Sequence, residues 1–140
     1  MKKLLLIVGT SLVLFADILP KNFGQCKAIK SFTANNPPIA IKSRFEEIKQ
    51  YACQSGNIFV AIENNTEGIL KLKENIKTKN FLLKHLTIQN RPAAVYIDYG
   101  SKKGEIAIKL SNDKTVVIFF DNSDYQKILN SLTNINLNNI

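Results

Sequence analysis

Residues 43–56, SRFEEIKQYACQSG, carry the first strong periodicity in the chain, and their reading sets its class. Ser43 stands three residues before Glu46, the spacing of a capping box, in which each side chain satisfies a backbone N–H at a helix start. Ile41, Phe45, Ile48 and Ala52 fall on one face of a 3.6-residue repeat, with Tyr51 flanking it and Lys49 and Gln50 pointing away. Gly56 supplies the stop, because it tolerates the positive φ with which many helices end. The pattern predicts an N-terminal helix with Cys53 in its last turn.

The segments that follow alternate with period two. NIFVAI (57–62) is apolar on both of its faces, which suits a strand covered on both sides. In GILKLKENI (68–76), Ile69, Leu70, Leu72 and Ile76 allow a helix, but leucines against Lys71 and Lys73 favour an edge strand. FLLKHLTI (81–88) and AAVYIDY (93–99) read as strands; in the second, Val95, Ile97 and Tyr99 share one face and Tyr96 and Asp98 the other. GEIAIKL (104–110), a polar turn at 111–114 and TVVIFF (115–120) form the clearest hairpin. SDYQKILNSL (123–132) repeats the capping spacing at Ser123 and Gln126 and carries an apolar stripe of Tyr125, Ile128, Leu129 and Leu132. These elements predict one α+β domain over 41–133: an antiparallel sheet of about five or six strands with an N-terminal and a C-terminal helix packed on one face. The Asn-rich residues 134–140 are expected to fray.

Upstream of that domain, residues 17–40 read as irregular, broken by Pro20, Gly24 and the cluster Asn35-Asn36-Pro37-Pro38, with room for a short strand at 27–32. Before them, Lys2 and Lys3 lead into the apolar run Leu4 to Phe15. A spanning helix needs about 20 apolar residues. The run is shorter and has no polar face, so it fits the core of a secretory signal over 1–16, cut after Ala16, with Leu14 a bulky residue where a small one is usual. Export gives the two cysteines their meaning. Cys26 and Cys53 are an even pair in a compartment that oxidises thiols, are not spaced as a redox motif, and with one histidine cannot build a structural zinc site. A Cys26–Cys53 disulfide is the expectation, and no metal site is expected.

The formal charge of +8 comes from seventeen lysines and only two arginines. Phosphate readers lean on arginine, whose planar fork matches phosphate, and these lysines are scattered, so nucleic acid is not expected as a partner. Asn and Ile are also abundant, and all three have A/T-rich codons, so a low-GC genome supplies the same mixture. Contact with anionic lipid or glycan remains compatible with the charge.

Catalytic signals are sparse. His85 is the sole histidine and sits mid-strand; Asp98 or Glu105 could orient it only if the sheet brought them together. Glu46 and Glu47 point to different sides of a helix, no serine has a nucleophile-elbow context, and no glycine loop cradles phosphate, so no cofactor is expected. Gly100 and Gly104 bracket a basic tip, Ser101-Lys102-Lys103, next to the Tyr96/Asp98 pair, and these residues form the most distinctive candidate surface. The sequence therefore reads as a small exported, periplasmic or secreted, non-enzymatic protein. Its expected role is that of an accessory, inhibitor or binding partner of another envelope protein, with Tyr96, Asp98, Lys102 and Lys103 as candidate contacts. A small hydrolase built on His85 and a carboxylate such as Asp98, and a lysine-mediated binder of anionic lipid or glycan, are the alternatives.

Overall fold

The computed structural model describes residues 19–32, 45–54, 56–64, 68–111, 113–121, 125–132 and Leu137. The expected signal over 1–16 lies outside the described residues, as do Ser43, Ser123 and the Asn-Pro cluster.

The described residues are nearly all sheet. Nine strands run in order β1 (Asn22–Phe23), β2 (Cys26–Phe32), β3 (Phe45–Cys53), β4 (Gly56–Asn64), β5 (Ile76–Lys77), β6 (Phe81–Ile88), β7 (Arg91–Asp98), β8 (Lys103–Ser111) and β9 (Lys114–Asp121). A 3-10 turn, Gly68–Lys71, precedes β5, and α1 (Tyr125–Leu132) is the one α-helix among the described residues. The strands form a single sheet in the order β1-β2-β3-β4-β9-β8-β7-β6-β5, every pair antiparallel. Two meanders, β1–β4 and β5–β9, are thus joined side by side where β4 pairs with β9.

This corrects the α+β expectation. The C-terminal helix is present, but the stretch read as an N-terminal helix is β3, and the sheet has nine strands rather than five or six. The cause is a bulge. Phe45 lies opposite Glu63 and Glu47 opposite Ile62, so one residue is inserted and the face parity shifts between them. Phe45 and Ile48, three apart, therefore share a face of the sheet, which imitates the i, i+3 spacing of a helix. Within 17–40, the short strand allowed at 27–32 is present as β2 and is preceded by β1, which the irregular reading did not include; β2 carries its own bulge between Ala28 and Lys30, where Ile29 stands exposed. In 68–77 the structure has the 3-10 turn and a strand only at Ile76–Lys77.

Both faces of the sheet are buried. On the first, Tyr51, Ile58, Val60, Ile62, Ile106, Ile108, Ile118 and Phe120 form the main core, closed by Leu19, Phe23, Ile128 of α1 and Leu137. Leu137 falls in the stretch expected to fray, yet it is buried, and its N–H donates to Gln89 Oε1 at 3.4 Å. On the second face Phe45, Ile48, Ala61, Leu83, Ala94, Ala107 and Val117 form a second core together with Ile69 of the 3-10 turn, which packs on β7 and β8. Strand β9, apolar on both faces in sequence, is central, between β4 and β8.

The N-terminal segment is held by polar side chains pointing into the first core. Leu19 N–H donates to Glu47 Oε2 at 3.2 Å, Lys49 Nζ donates to Leu19 carbonyl at 2.9 Å, and Tyr51 Oη donates to Pro20 carbonyl at 2.6 Å. Alternate residues of β3 thus grip one short piece of main chain. Lys49 is 3% exposed and lies 3.9 Å from the Glu47 carboxylate, which offsets the cost of burying its charge. Cys26 and Cys53 form a disulfide at the outer end of the β2–β3 ladder, Cα–Cα 4.3 Å. A disulfide is compatible with an oxidising, exported location.

One glycine is fixed by close approach. A Cβ on Gly104 would lie 2.5 Å from Phe120 Cζ and 2.9 Å from the Tyr96 carbonyl oxygen. The ring is buried and the carbonyl belongs to the neighbouring strand, so neither moves freely. Gly104→Ala is expected to cost about 1–3 kcal/mol in urea unfolding; unchanged stability would show that the approach is not that close.

Candidate functional site

The sheet register separates the residues proposed for catalysis. His85 pairs with Ala94, whereas Asp98 pairs with Phe81, four positions along β6, or roughly 13 Å at about 3.3 Å per residue. Glu105 pairs with Tyr96 from the far side of β7. The histidine is instead tied to its own chain. Its Nδ1 meets Asn75 Oδ1 at 2.7 Å, its Nε2 meets the Leu72 carbonyl, and its backbone N–H donates to Asn75 Oδ1 at 2.8 Å. The His85 main chain thus holds Asn75 against β6, and its ring lies between Asn75 and the Leu72 carbonyl. Among the described residues no group of three His, Cys, Asp or Glu is placed to hold a metal.

A different arrangement stands out at the end of the sheet where β5, β6 and β7 meet. Two turns lie side by side there. In the first, Thr78 Oγ1 accepts N–H bonds from Asn80 (3.2 Å) and Phe81 (3.0 Å), and Thr78 N–H donates to Phe81 carbonyl at 2.9 Å. In the second, Asp98 Oδ1 accepts from Gly100 N–H (2.9 Å) and Ser101 N–H (3.3 Å), an Asx-type turn, and Lys102 adopts a left-handed φ of 59°. Tyr99 N–H donates to Asn80 carbonyl at 2.9 Å and locks one turn to the other. Short polar side chains therefore build a defined surface from loop residues.

That surface is apolar at its points and cationic around them. Tyr99 is 49% exposed, Ile76 46% and Phe81 40%, with Leu72 exposed nearby on the loop. Tyr96 lies stacked beside Phe81, ring centroids 6.2 Å apart and planes at 20°. A cavity of about 370 Å³ opens between Ile76, Lys77, Leu82, Lys84 and Tyr99. Lys71, Lys73, Lys77, Lys79, Lys84, Lys102 and Lys103 are all exposed, against only Glu74 and Asp98 in the same segments.

Of the contacts singled out in the sequence, Tyr96, Asp98, Lys102 and Lys103 do fall at one end of the sheet. Tyr96 and Asp98 act there as supports, one for Phe81 and one for the turn that carries Tyr99. Ile76, Phe81, Lys77 and Lys79 were not singled out. Their signal was the interleaving of lysine and apolar residues through 71–84, which also fits an edge strand guarded by charge. Elsewhere Glu63 and Thr115 are buried opposite one another on β4 and β9. Comparison with models of protein families, with curated proteins and with solved structures finds no match to this chain.

Proposed function

We propose that this chain is a small exported protein of the periplasm or cell envelope that works by binding another envelope component, not by catalysis. The observation that carries the reading is the corner of β5, β6 and β7, where exposed Ile76 of β5, Phe81 of β6 and Tyr99 of the following turn stand among lysines beside two interlocked turns. Exposed large apolar side chains gathered on a structured surface mark contact sites. The apolar run at residues 4–15 and the Cys26–Cys53 disulfide support export. A hydrolase built on His85 has less support, because its ring nitrogens are engaged by Asn75 and Leu72 and its nearest candidate carboxylates lie on other parts of the sheet.

The test is a photo-crosslinking amino acid placed at position 99, and in a second chain at position 27 on the opposite edge of the sheet. A discrete adduct with one envelope component is expected from 99 and not from 27. Adducts from neither position, or the same adducts from both, would sink the reading. Intact mass of the protein recovered from the envelope should lack residues 1–16; their presence would overturn the export half.

A further inference from the structure

We infer that the corner formed by the 78–80 and 99–102 turns docks on the anionic surface of a lipid bilayer. This deepens the reading of the corner as a contact surface and rests on it.

The composition of the corner separates a bilayer from the other occupants. Protein interfaces are depleted in lysine relative to the rest of the surface, with charge scarcest at their centres. Here lysine is interleaved with the exposed apolar residues: Lys77 follows Ile76, Lys79 precedes Phe81 by two, and Lys102 follows Tyr99 by three. That mixture suits the membrane interface. A tyrosine ring sits at headgroup level with its hydroxyl in water, and lysine stems lie along apolar surface while their ammonium groups reach lipid phosphates. A glycan could stack on Tyr99 but leaves Ile76 and Phe81 without a partner. A second copy of this chain, with its net charge of +8, would set lysine against lysine at the same edge. Position agrees with composition. Ile76 lies on the two-residue edge strand, Phe81 begins β6 and Tyr99 stands in the turn after β7, all exposed, and the ties from Tyr99 to Asn80 and from Asp98 to its own turn fix the two turns beside them.

The probe is vesicles of phosphatidylcholine with a third phosphatidylglycerol, compared with phosphatidylcholine alone, in a sedimentation assay. The chain used starts at residue 17 with its disulfide formed. It keeps every described residue and lacks the apolar run that would itself bind lipid. Binding is expected to the anionic vesicles only, and molar salt, which shortens the screening length to about 3 Å, should release it. Each lysine near an anionic surface changes affinity roughly fivefold, so Lys77→Glu with Lys79→Glu should weaken binding by more than about tenfold. Lys21→Glu with Lys27→Glu, an equal change of net charge at the opposite edge, should change it by less than about threefold. The chain contains no tryptophan, so Tyr99→Trp makes a single reporter whose emission should shift to the blue on anionic vesicles.

Equal binding to neutral vesicles, equal weakening by the two charge reversals, or an unshifted Trp emission would overturn the inference. If no vesicle binds while position 99 still crosslinks to a protein, the lipid inference falls and the binding role stands. If neither is seen, both fall.

Discussion

Tyr51→Ala is expected to lower the unfolding free energy by about 4 kcal/mol, in the middle of the range for truncating a buried aromatic. Tyr51 has no exposed surface and lies at the centre of the first core, its ring centroid 5.5 Å from that of Phe23. Truncation leaves a ring-sized void between the N-terminal segment and the sheet. It also removes the donor that satisfies the Pro20 carbonyl at 2.6 Å. Tyr51→Phe separates the two contributions: it keeps the ring and loses the hydroxyl, at a cost of about 1–2 kcal/mol. Urea unfolding of both variants gives the comparison. A loss under about 1 kcal/mol for Tyr51→Ala would mean that the N-terminal segment is not packed on β3 in solution.

The same strand explains what could be read from the residues and what could not. GEIAIKL alternates strictly, and Ile106 and Ile108 go to the core, as a period of two requires. TVVIFF is apolar on both faces and is central. Such segments are legible because each residue's face follows from its parity alone. Strand β3 is not, for two physical reasons. Its bulge at Phe45/Glu47 breaks parity, so the apolar residues show a helical interval. Its inward residues include Glu47 and Lys49, which no local rule places in a core. They are tolerated there because they bond the main chain of Leu19, 28 and 30 residues earlier. A contact over that separation leaves no periodic trace.

The candidate site was partly legible for a related reason. Lys102, Lys103 and Asp98 are adjacent in sequence, so a turn rich in Gly, Ser and Lys could be recognised. Its neighbour, the turn at 78–80, reaches it only through the Phe81–Asp98 register and the Tyr99–Asn80 hydrogen bond. The lysines read as scattered along the sequence, and only the register shows that seven exposed ones lie in two segments brought side by side. The converse holds for His85. Asp98 and Glu105 could orient the lone histidine only if the sheet brought them together, and the register that sets it opposite Ala94 separates it from them.

Reducing the Cys26–Cys53 bridge is expected to lower stability by about 3.5 kcal/mol, the loop-closure value for a loop of this length. The sequence separation is 27, and the enclosed loop runs from the first residue of β2 to the last of β3. Unbridged, the unfolded chain regains the freedom of that whole loop. The folded state also has a weak point that the bridge covers: the β2–β3 ladder is interrupted between Ala28 and Lys30, so the β1–β2 hairpin relies on its outer end, where the disulfide sits. The loss should therefore be uneven. In hydrogen exchange, reduction should speed residues 22–32 before it affects β4, β8 and β9, which lie in the middle of the sheet. Urea unfolding with and without reductant measures the total. A difference below about 1 kcal/mol, or exchange that rises uniformly across the sheet, would mean that β2 is held by its ladder and not by the bridge. The two effects are coupled. Tyr51 grips Pro20 from inside the core while the bridge pins Cys26 at the rim, so the hairpin carrying Leu19 and Phe23 is fastened at both ends. Tyr51→Ala and reduction should then cost less together than the sum of each alone, because once either end is released the other closes a segment that is already loose.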